Sequence, residues 1–306
     1  VAVYAVLFAR AALLQLGHCA AGRDSQRRQS VRRVWVGARR GGLYDRHGVP
    51  LNVNRDAMNL CIDLAALREP GETPRRLVEK TVALSNRLAP LLGPGALLTA
   101  ASPADVARQV IQAPALPVVV WRDLSPSQIA RWAVHECAFP AIRLMPETTR
   151  CYLLPDKGFH VRGFAATAGP SPGASRDYAY CLPGTAGRCG LEQVCDDRLR
   201  GRPGEIVLQV DVCGYRTAVL DCREPVAGED VVLSLDIRLQ CYAEEALAER
   251  TGAVVVLDPA TGDVLAMASS PAGRLDGSSA DYAALAADRA RNPLLNRAVG
   301  QVYSPG

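Results

Sequence analysis

The chain has 306 residues, of which 49% are hydrophobic and 22% charged, so it has enough apolar material for a buried core. Its formal net charge is only +4, which is too small to indicate a polyanionic partner such as nucleic acid. The length suits two domains, or one domain and part of another.

The amino-terminal stretch is strongly apolar over residues 1–16, apart from Arg10 and Gln15. A membrane-spanning helix needs about 20 apolar residues, so this stretch is too short to span and we interpret it as the end of a membrane anchor. A buried soluble helix is the alternative. No convincing small-residue cleavage site follows, which favours an uncleaved anchor over a signal peptide. Residues 23–40 hold seven arginines, a feature typical of cytoplasmic segments, so the orientation stays open at this point.

The next part of the chain alternates turn signals with apolar patterns. Residues 40–54 predict a strand, a tight turn and a second strand. Apolar residues at helical spacing predict a helix over 73–92. Residues 125–137 predict another helix, which Ser125 can cap. Residues 165–190 are rich in Gly, Pro, Ser and Ala, and we interpret them as a loop.

The pattern changes from residue 205. Alternating apolar and polar residues around Cys213-Gly214 predict a β-hairpin. Residues 225–230 read as a linker and a domain boundary. Asp236 can cap the helix that follows. After the linker the pattern predicts a strand, a helix, and two strands around a turn, over residues 231–236, 237–250, 253–258 and 264–270.

The ten cysteines show no C-x-x-C pair and no Cys/His cluster with zinc spacing. Two groups are close in sequence: Cys181, Cys189 and Cys195, and Cys213 with Cys222. A disulfide within either group is possible outside the cytoplasm. The alternative is that most of the thiols are small buried apolar groups.

Three boxes in the first 204 residues carry a family resemblance. The first contains Arg40, Gly41, Leu43, Asp45, Arg46 and Gly48, with Leu51 and Asn54 in its tail. The second contains Arg150, Tyr152 and Gly163, with its proline displaced to Pro155. The third is a Gly-Leu-Glu box with a downstream Leu-x-Gly-x-x-Gly, formed by Gly190, Leu191, Glu192, Leu199, Gly201 and Gly204.

Two further boxes follow in the last 76 residues. The fourth contains Leu233, Ser234, Leu235, Asp236, Leu239 and Gln240, and then Val256, Leu257, Asp258, Pro259, Thr261, Gly262, Leu265, Ala266 and Met267. The fifth contains Leu295, Asn296, Arg297 and Ala298, followed by Tyr303, Ser304, Pro305 and Gly306. Each box alone is ordinary turn or surface chemistry. All five in this order resemble the class B penicillin-binding proteins over almost the whole chain.

That resemblance implies an α+β protein in three parts. The first is an N-terminal membrane-anchor helix, of which residues 1–18 are the remnant. The second is an elongated mixed pedestal of the dimerisation type, over 19–228. The third, over 229–306, is the first helix and strands of an incomplete serine transpeptidase domain with a β-lactamase-like fold.

The catalytic chemistry of that family needs motifs that this chain does not contain. A serine attacks the peptide carbonyl, and a lysine one helical turn later accepts its proton; a Ser-x-Asn and a Lys-Thr-Gly complete the site. Leucine stands three residues before each of the two lysines, Lys80-Thr81 continues into Val82, and no Ser-x-Asn occurs. Ser304 holds a variable place in the approach loop. We expect Ser-x-x-Lys to begin immediately after Gly306, and no catalytic residue, metal or cofactor site within the chain.

By the same resemblance, the parent protein would act on peptidoglycan stem peptides, react with β-lactams and contact a membrane glycosyltransferase. It would cross the bacterial cell membrane once, with most of the chain extracytoplasmic. Asp45, Arg46 and Glu192 are then expected to form ion pairs or hydrogen bonds between pedestal strands. Residues 292–298 lean towards the elongation type of the family, but division and sporulation roles stay open.

Three alternatives differ in class. The first is a non-catalytic, membrane-anchored scaffold that docks a cell-wall glycosyltransferase and ends near Gly306. The second is a nucleic-acid binder using the arginines of residues 23–40, which the low net charge and the few accompanying aromatics oppose. The third is a serine β-lactamase, which shares the catalytic fold but would not need the long pedestal.

Overall fold

The computed structural model describes residues 3, 4, 6, 10, 30–93, 101–168, 179–182, 184–248, 250–274 and 279–302. Within these residues the fold mixes helices and strands in the α+β manner expected. The predicted anchor at residues 1–18 lies almost wholly outside the described residues. Nowhere in the described part does a helix have the length and apolar character needed to cross a membrane.

The strands in chain order are β1 (Val31–Val36), β2 (Leu43–Tyr44), β3 (Pro50–Ile62), β4 (Val118–Trp121), β5 (Ile142–Tyr152), β6 (Ala165–Ala168), β7 (Ala179–Cys181), β8 (Gly184–Gly187), β9 (Gly204–Val210), β10 (Arg216–Arg223), β11 (Val231–Val232), β12 (Gly252–Leu257) and β13 (Val264–Ser270). The helices are α1 (Leu64–Leu67), α2 (Pro74–Leu92), α3 (Pro103–Gln112), α4 (Pro126–His135), α5 (Phe159–Arg162), α6 (Gly190–Val194), α7 (Asp196–Leu199), α8 (Ile237–Leu247), α9 (Ser279–Ala287) and α10 (Arg297–Gly300). A 3-10 turn, Glu136–Ala138, follows α4.

The central sheet is built on the long strand β3. Strand β5 pairs antiparallel with β3 from Asn52↔Tyr152 to Ile62↔Ile142. Strand β2 pairs with the beginning of β3 and β4 with its end, and β11 adds in parallel to β2. The predicted strand, turn and strand over 40–54 are therefore confirmed, although the second strand continues to Ile62.

The main hydrophobic core lies between the far end of β3 and the helices α2, α3 and α4. Helix α2 confirms the prediction for 73–92, and its buried positions follow the helical period: Leu77, Thr81, Ser85, Leu88, Ala89 and Leu92. Helix α4 begins at a capping box in which Ser125 and Gln128 exchange hydrogen bonds. Trp132 of α4 is buried in this core. Both helices thus follow local signals that are readable in the sequence.

A second sheet has the order β10-β9-β1-β7. Strands β9 and β10 form the predicted hairpin. The loop prediction for 165–190 is wrong over its described residues, because β6 pairs with β8 and β7 pairs with β1. These short strands consist largely of Gly and Ala, whose weak intrinsic β-propensity gives no strand signal. Pairing with distant partners decides their conformation.

The carboxy-terminal part packs α8 on the antiparallel pair β12–β13. The predicted order of helix, strand, turn and strand is confirmed. Helix α8 ends at Leu247, before the predicted end at residue 250, because Ala248 takes a positive φ of 46°. The predicted linker at 225–230 is held by backbone hydrogen bonds, from Gly228 N to Arg39 O at 2.8 Å and from Glu229 N to Arg198 O at 2.9 Å.

The cysteines of both groups named above are free thiols in the structure: Cys181, Cys189, Cys195, Cys213 and Cys222.

Candidate functional site

The carboxylate of Glu192 lies at the centre of a deeply buried polar group. It is 0% exposed and sits in the first turn of α6. Its Oε2 accepts a hydrogen bond from Arg40 Nε at 2.6 Å. Its Oε1 accepts from Arg150 Nε at 2.9 Å and from Arg150 Nη2 at 2.6 Å. Residues from the first, second and third boxes therefore converge on one buried carboxylate, as a buried charge requires.

The other guanidinium nitrogens of the two arginines also donate hydrogen bonds. Arg40 Nη1 donates to Asp196 Oδ1 at 2.6 Å, and Arg40 Nη2 donates to the Glu192 carbonyl at 2.7 Å. Arg150 Nη1 donates to the Gly41 carbonyl at 2.8 Å and to Asn54 Oδ1 at 3.2 Å. Burial opposes ionisation of Asp196, but hydrogen bonds from the Gly187 N–H and from Arg40 outweigh it and lower the pKa of Asp196. Each guanidinium thus has several partners in a fixed fork geometry.

Three members of the group were not predicted from the sequence: Asp196, Asn52 and Arg162. Asn52 Nδ2 donates to Glu192 Oε1 at 3.0 Å, and Asn52 Oδ1 accepts from Arg162 Nη1 at 2.9 Å. Arg162 Nη2 donates to the carbonyls of Leu154 and Lys157. Burial lowers the pKa of Arg162 to about 10. The position of Arg162 next to Gly163 in the second box is the signal that could have marked it. We call these six side chains the Glu192 network: Arg40, Asn52, Arg150, Arg162, Glu192 and Asp196.

Two glycines bring the backbones around this network together. Gly163 and Gly190 both have left-handed φ values, 69° and 59°. A Cβ on Gly190 would lie 2.6 Å from Gly163 N, and a Cβ on Gly163 would collide with the Cys189 carbonyl. Only glycine permits both this conformation and this approach. Three further box glycines also face backbone too closely for a side chain: Gly41, Gly201 and Gly204.

The turn of the first box contacts the beginning of α8. Asp45 is buried and accepts from His47 N at 2.8 Å and from Val49 N at 2.7 Å, with Gly48 in the same turn. The Arg46 side chain is exposed. Arg46 contributes through its backbone N–H, which donates to Leu235 O at 2.9 Å. The expected ion pairs or hydrogen bonds are formed by Glu192 and by Asp45, although Glu192 lies in a helix and not on a pedestal strand, whereas Arg46 contributes through its backbone N–H.

Asp236 completes this junction from the other side. Its Oδ1 accepts from Arg238 N at 2.9 Å and caps α8 as predicted, and its Oδ2 lies 3.1 Å from His47 Nε2. Burial opposes ionisation of Asp236, but hydrogen bonds from the Arg238 N–H and from His47 outweigh it and lower the pKa of Asp236. The first and fourth boxes therefore meet at the amino terminus of α8.

The side-chain amide of Gln240 joins α8 to β13 by bonding both backbone groups of Met267, as a neighbouring strand would. Its Oε1 accepts from Met267 N at 2.8 Å, and its Nε2 donates to Met267 O at 2.9 Å and to Glu244 Oε1 at 2.7 Å. Asp258 and Gly262 form the turn between β12 and β13, with Gly262 N donating to Asp258 O at 2.8 Å. These residues hold the two-stranded sheet on the helix.

The fifth box forms the end of the described chain. Asn296 Oδ1 accepts from Ala298 N at 3.1 Å and caps α10. Arg297 is 5% exposed, and its Nη2 donates to Arg291 O at 2.8 Å. Tyr303, Pro305 and Gly306 lie outside the described residues. No metal-type group of three or more His, Cys, Asp and Glu side chains occurs in the part of the chain that the structure describes. The box residues that are described are positioned to hold elements together.

Comparison with known proteins identifies the family. Residues 36–233 match the Penicillin-binding Protein dimerisation domain, and residues 252–306 match the Penicillin binding protein transpeptidase domain. The chain belongs to the class B penicillin-binding proteins. The resemblance that the five boxes carry is thereby confirmed. So is the combination of a dimerisation domain with part of a transpeptidase domain.

Named relatives of this penicillin-binding protein are peptidoglycan D,D-transpeptidases. MrdA of Acinetobacter baumannii is 30% identical over 98% of this chain and 44% of its own length. MrdA of Escherichia coli is 31% identical over 90% of this chain and 43% of its own length. The chain therefore spans less than half the length of these relatives.

Solved structures share the fold. The penicillin-binding protein PBP2 in a complex with MreC from Helicobacter pylori superposes with a TM-score of 0.62, at 21% identity over 87% of this chain and 48% of that chain. A structure described as a peptidoglycan synthase complex that coordinates polymerization and crosslinking superposes with a TM-score of 0.54. Its identity is 28% over 96% of this chain and 49% of that chain.

Proposed function

We propose that this chain is the pedestal and the opening of the catalytic domain of a peptidoglycan D,D-transpeptidase. Residues 19–228 would form the pedestal, and residues 229–306 would begin the transpeptidase domain. The observation that carries the proposal is the Glu192 network, in which three boxes distant in sequence are joined through one buried carboxylate. A buried, densely hydrogen-bonded polar core suits an element that supports a catalytic domain.

In this proposal the whole protein joins peptidoglycan stem peptides through an acyl-serine intermediate, without metal or cofactor, and β-lactams acylate the same serine. None of the 306 residues forms Ser-x-x-Lys, Ser-x-Asn or Lys-Thr-Gly. The residues of this chain therefore position the reaction and do not carry out its acyl-transfer step. In this proposal the other box residues stabilise the fold, and Tyr303, Pro305 and Gly306 would precede the serine motif in sequence.

We further propose a membrane setting and a partner. Residues 1–18 would belong to a single-pass anchor in the bacterial cell membrane, with the pedestal extracytoplasmic and a membrane glycosyltransferase beside it. The membrane setting rests on the apolar character of residues 1–16. Support for a partner comes from the similar structures, one a complex of PBP2 with MreC and the other a complex for polymerization and crosslinking. Nucleic acid has no place in this function.

Two measurements test the proposal. The purified 306-residue chain is incubated with a fluorescent penicillin and separated on a denaturing gel, and we expect no covalent adduct. A stable, stoichiometric adduct would mean that the acyl step lies within these residues. The coding sequence downstream of Gly306 is then read. A serine followed three residues later by lysine supports the acyl-serine transpeptidase.

The second candidate is a non-catalytic, membrane-anchored scaffold that docks a cell-wall glycosyltransferase. The observation in its favour is that residues 36–233, most of the chain, match a dimerisation domain. A stop codon directly after Gly306, together with capture of a membrane glycosyltransferase by the chain, would favour the scaffold over the transpeptidase.

A further inference from the structure

Helix α5 lies between the Glu192 network and the carboxy-terminal part of the chain. It has only four residues, Phe159–Arg162. At one end Arg162 reaches Asn52 at 2.9 Å and through it the Glu192 carboxylate. Because Arg162 is 0% exposed and also donates to two carbonyls, α5 cannot shift without disturbing buried polar contacts.

The other side of α5 contacts the segment that leads into α10. His160 Nε2 lies 2.8 Å from the Pro293 carbonyl. A carbonyl only accepts, so Nε2 carries the proton. Phe159 packs with Leu285 and Leu294 in one apolar cluster. Next to it, the rings of Phe164 and Tyr282 have centroids 4.9 Å apart.

Arg297 makes several hydrogen bonds to the contacted segment, residues 288–296. The guanidinium of Arg297 donates to the carbonyls of Arg291 at 2.8 Å, Asn292 at 3.3 Å and Leu295 at 3.4 Å. Its backbone N–H donates to Ser269 Oγ at 3.0 Å. None of these hydrogen bonds goes to the carbonyl of Pro293, which is the carbonyl that His160 binds. His160 therefore binds a loop carbonyl that Arg297 does not reach.

We propose that α5 couples the Glu192 network to loop 288–296, with His160 as the positioning residue. The physical connection runs from Glu192 through Asn52 to Arg162, two residues back along α5 to His160, and on to Pro293. A change at the network would then alter the loop that precedes the approach to the serine motif. The relevance of this coupling to acyl transfer rests on the proposed function, whereas the coupling itself does not.

Hydrogen–deuterium exchange of the purified 306-residue chain tests the coupling. His160→Leu removes the Nε2–H donor and replaces the imidazole ring with an apolar side chain. We expect the amides of residues 289–300 to exchange about five-fold faster, the change in an opening equilibrium for one lost hydrogen bond. His160→Gln keeps an N–H donor and should restore slow exchange. Arg274→Gln breaks the exposed pair with Asp156 at the same boundary and should leave the loop unchanged.

The decisive variant lies at the far end of the connection. Asn52→Ala removes the bridge between Arg162 and Glu192 without touching the loop, and it should accelerate loop exchange at least two-fold. In the double variant with His160→Leu, the two effects should not add, since both act through α5. Loop exchange at the wild-type rate in Asn52→Ala, or additive effects, would overturn the proposal.

Reciprocity provides a test that does not need the Asn52 variant to fold. A coupling free energy acts equally in both directions, so His160→Leu should also accelerate exchange at the amides of Gln193 and Cys195, at the helix that carries Glu192. Unchanged exchange there, with faster exchange in the loop, would show a local contact and no coupling. None of these exchange measurements depends on penicillin labelling. A failure of the coupling can therefore be distinguished from a failure of the proposed function.

Discussion

Replacing Glu192 with alanine is the sharpest test of what holds the pedestal together. The substitution leaves two guanidiniums, Arg40 and Arg150, buried without the carboxylate that they share; their side chains are 2% and 4% exposed. Removing one partner of a buried ion pair costs about 3–5 kcal/mol, because the remaining charge stays buried and unpaired. We therefore expect Glu192→Ala to lower the free energy of unfolding by at least about 3 kcal/mol.

The assay is urea and thermal unfolding followed by circular dichroism. For a domain of about 150–250 residues, a loss of 1 kcal/mol lowers Tm by about 2–4 °C, so Tm should fall by about 6–20 °C. The urea m-value should stay constant if only the native state is affected. Glu192→Gln keeps the size of the side chain and removes its charge, and its amide group would point a donor at a guanidinium. Glu192→Gln should therefore lose most of the free energy of unfolding that Glu192→Ala loses.

An exposed ion pair provides the matched control. Arg198 Nε and Glu229 Oε2 lie 3.3 Å apart, with side chains 61% and 72% exposed. Pairs of this kind contribute about 0–1 kcal/mol, so Glu229→Gln should melt close to the wild type. A Glu192→Ala variant that loses no more stability than Glu229→Gln would refute the structural role assigned to the buried carboxylate.

Four further outcomes are expected. Gly190→Ala should melt at a markedly lower temperature, because its Cβ would overlap Gly163 N, whereas Gly184→Ala, whose Cβ meets nothing within 4 Å, should not. Gln240→Leu should cost about 1–3 kcal/mol in urea unfolding for each Met267 backbone group left unsatisfied. Ser125→Ala should cost about 1 kcal/mol through loss of the α4 cap. Burial lowers the pKa of His160 below its ordinary 6.5, so just below pH 6.5 the unfolded state binds more protons than the folded state. The free energy of unfolding should therefore rise with pH up to about 6.5. His160→Leu should lose this pH dependence.

Several elements could be predicted because their signals are local. The apolar period of α2 and the Ser125 cap of α4 depend on residues within one or two helical turns. The hairpin of β9 and β10 follows from alternation around a Gly-containing turn. The segment 165–190 could not be predicted in this way, because its Ala-rich and Gly-rich strands owe their conformation to partners far along the chain. The end of α8 at Leu247 likewise depends on Ala248 taking a positive φ, which its residue type does not favour.

The order of the five boxes, read from the sequence alone, determined the family and named Arg40, Arg150 and Glu192 as structural. Sequence reasoning did not find Asn52, Arg162 or His160, because an isolated polar residue reads as surface until its burial is known. Arg40 and Glu192 lie 152 positions apart, and no periodicity connects residues at that separation. Only the tertiary structure brings these side chains out of water together, and burial is what turns ordinary surface charges into a network that the fold depends on.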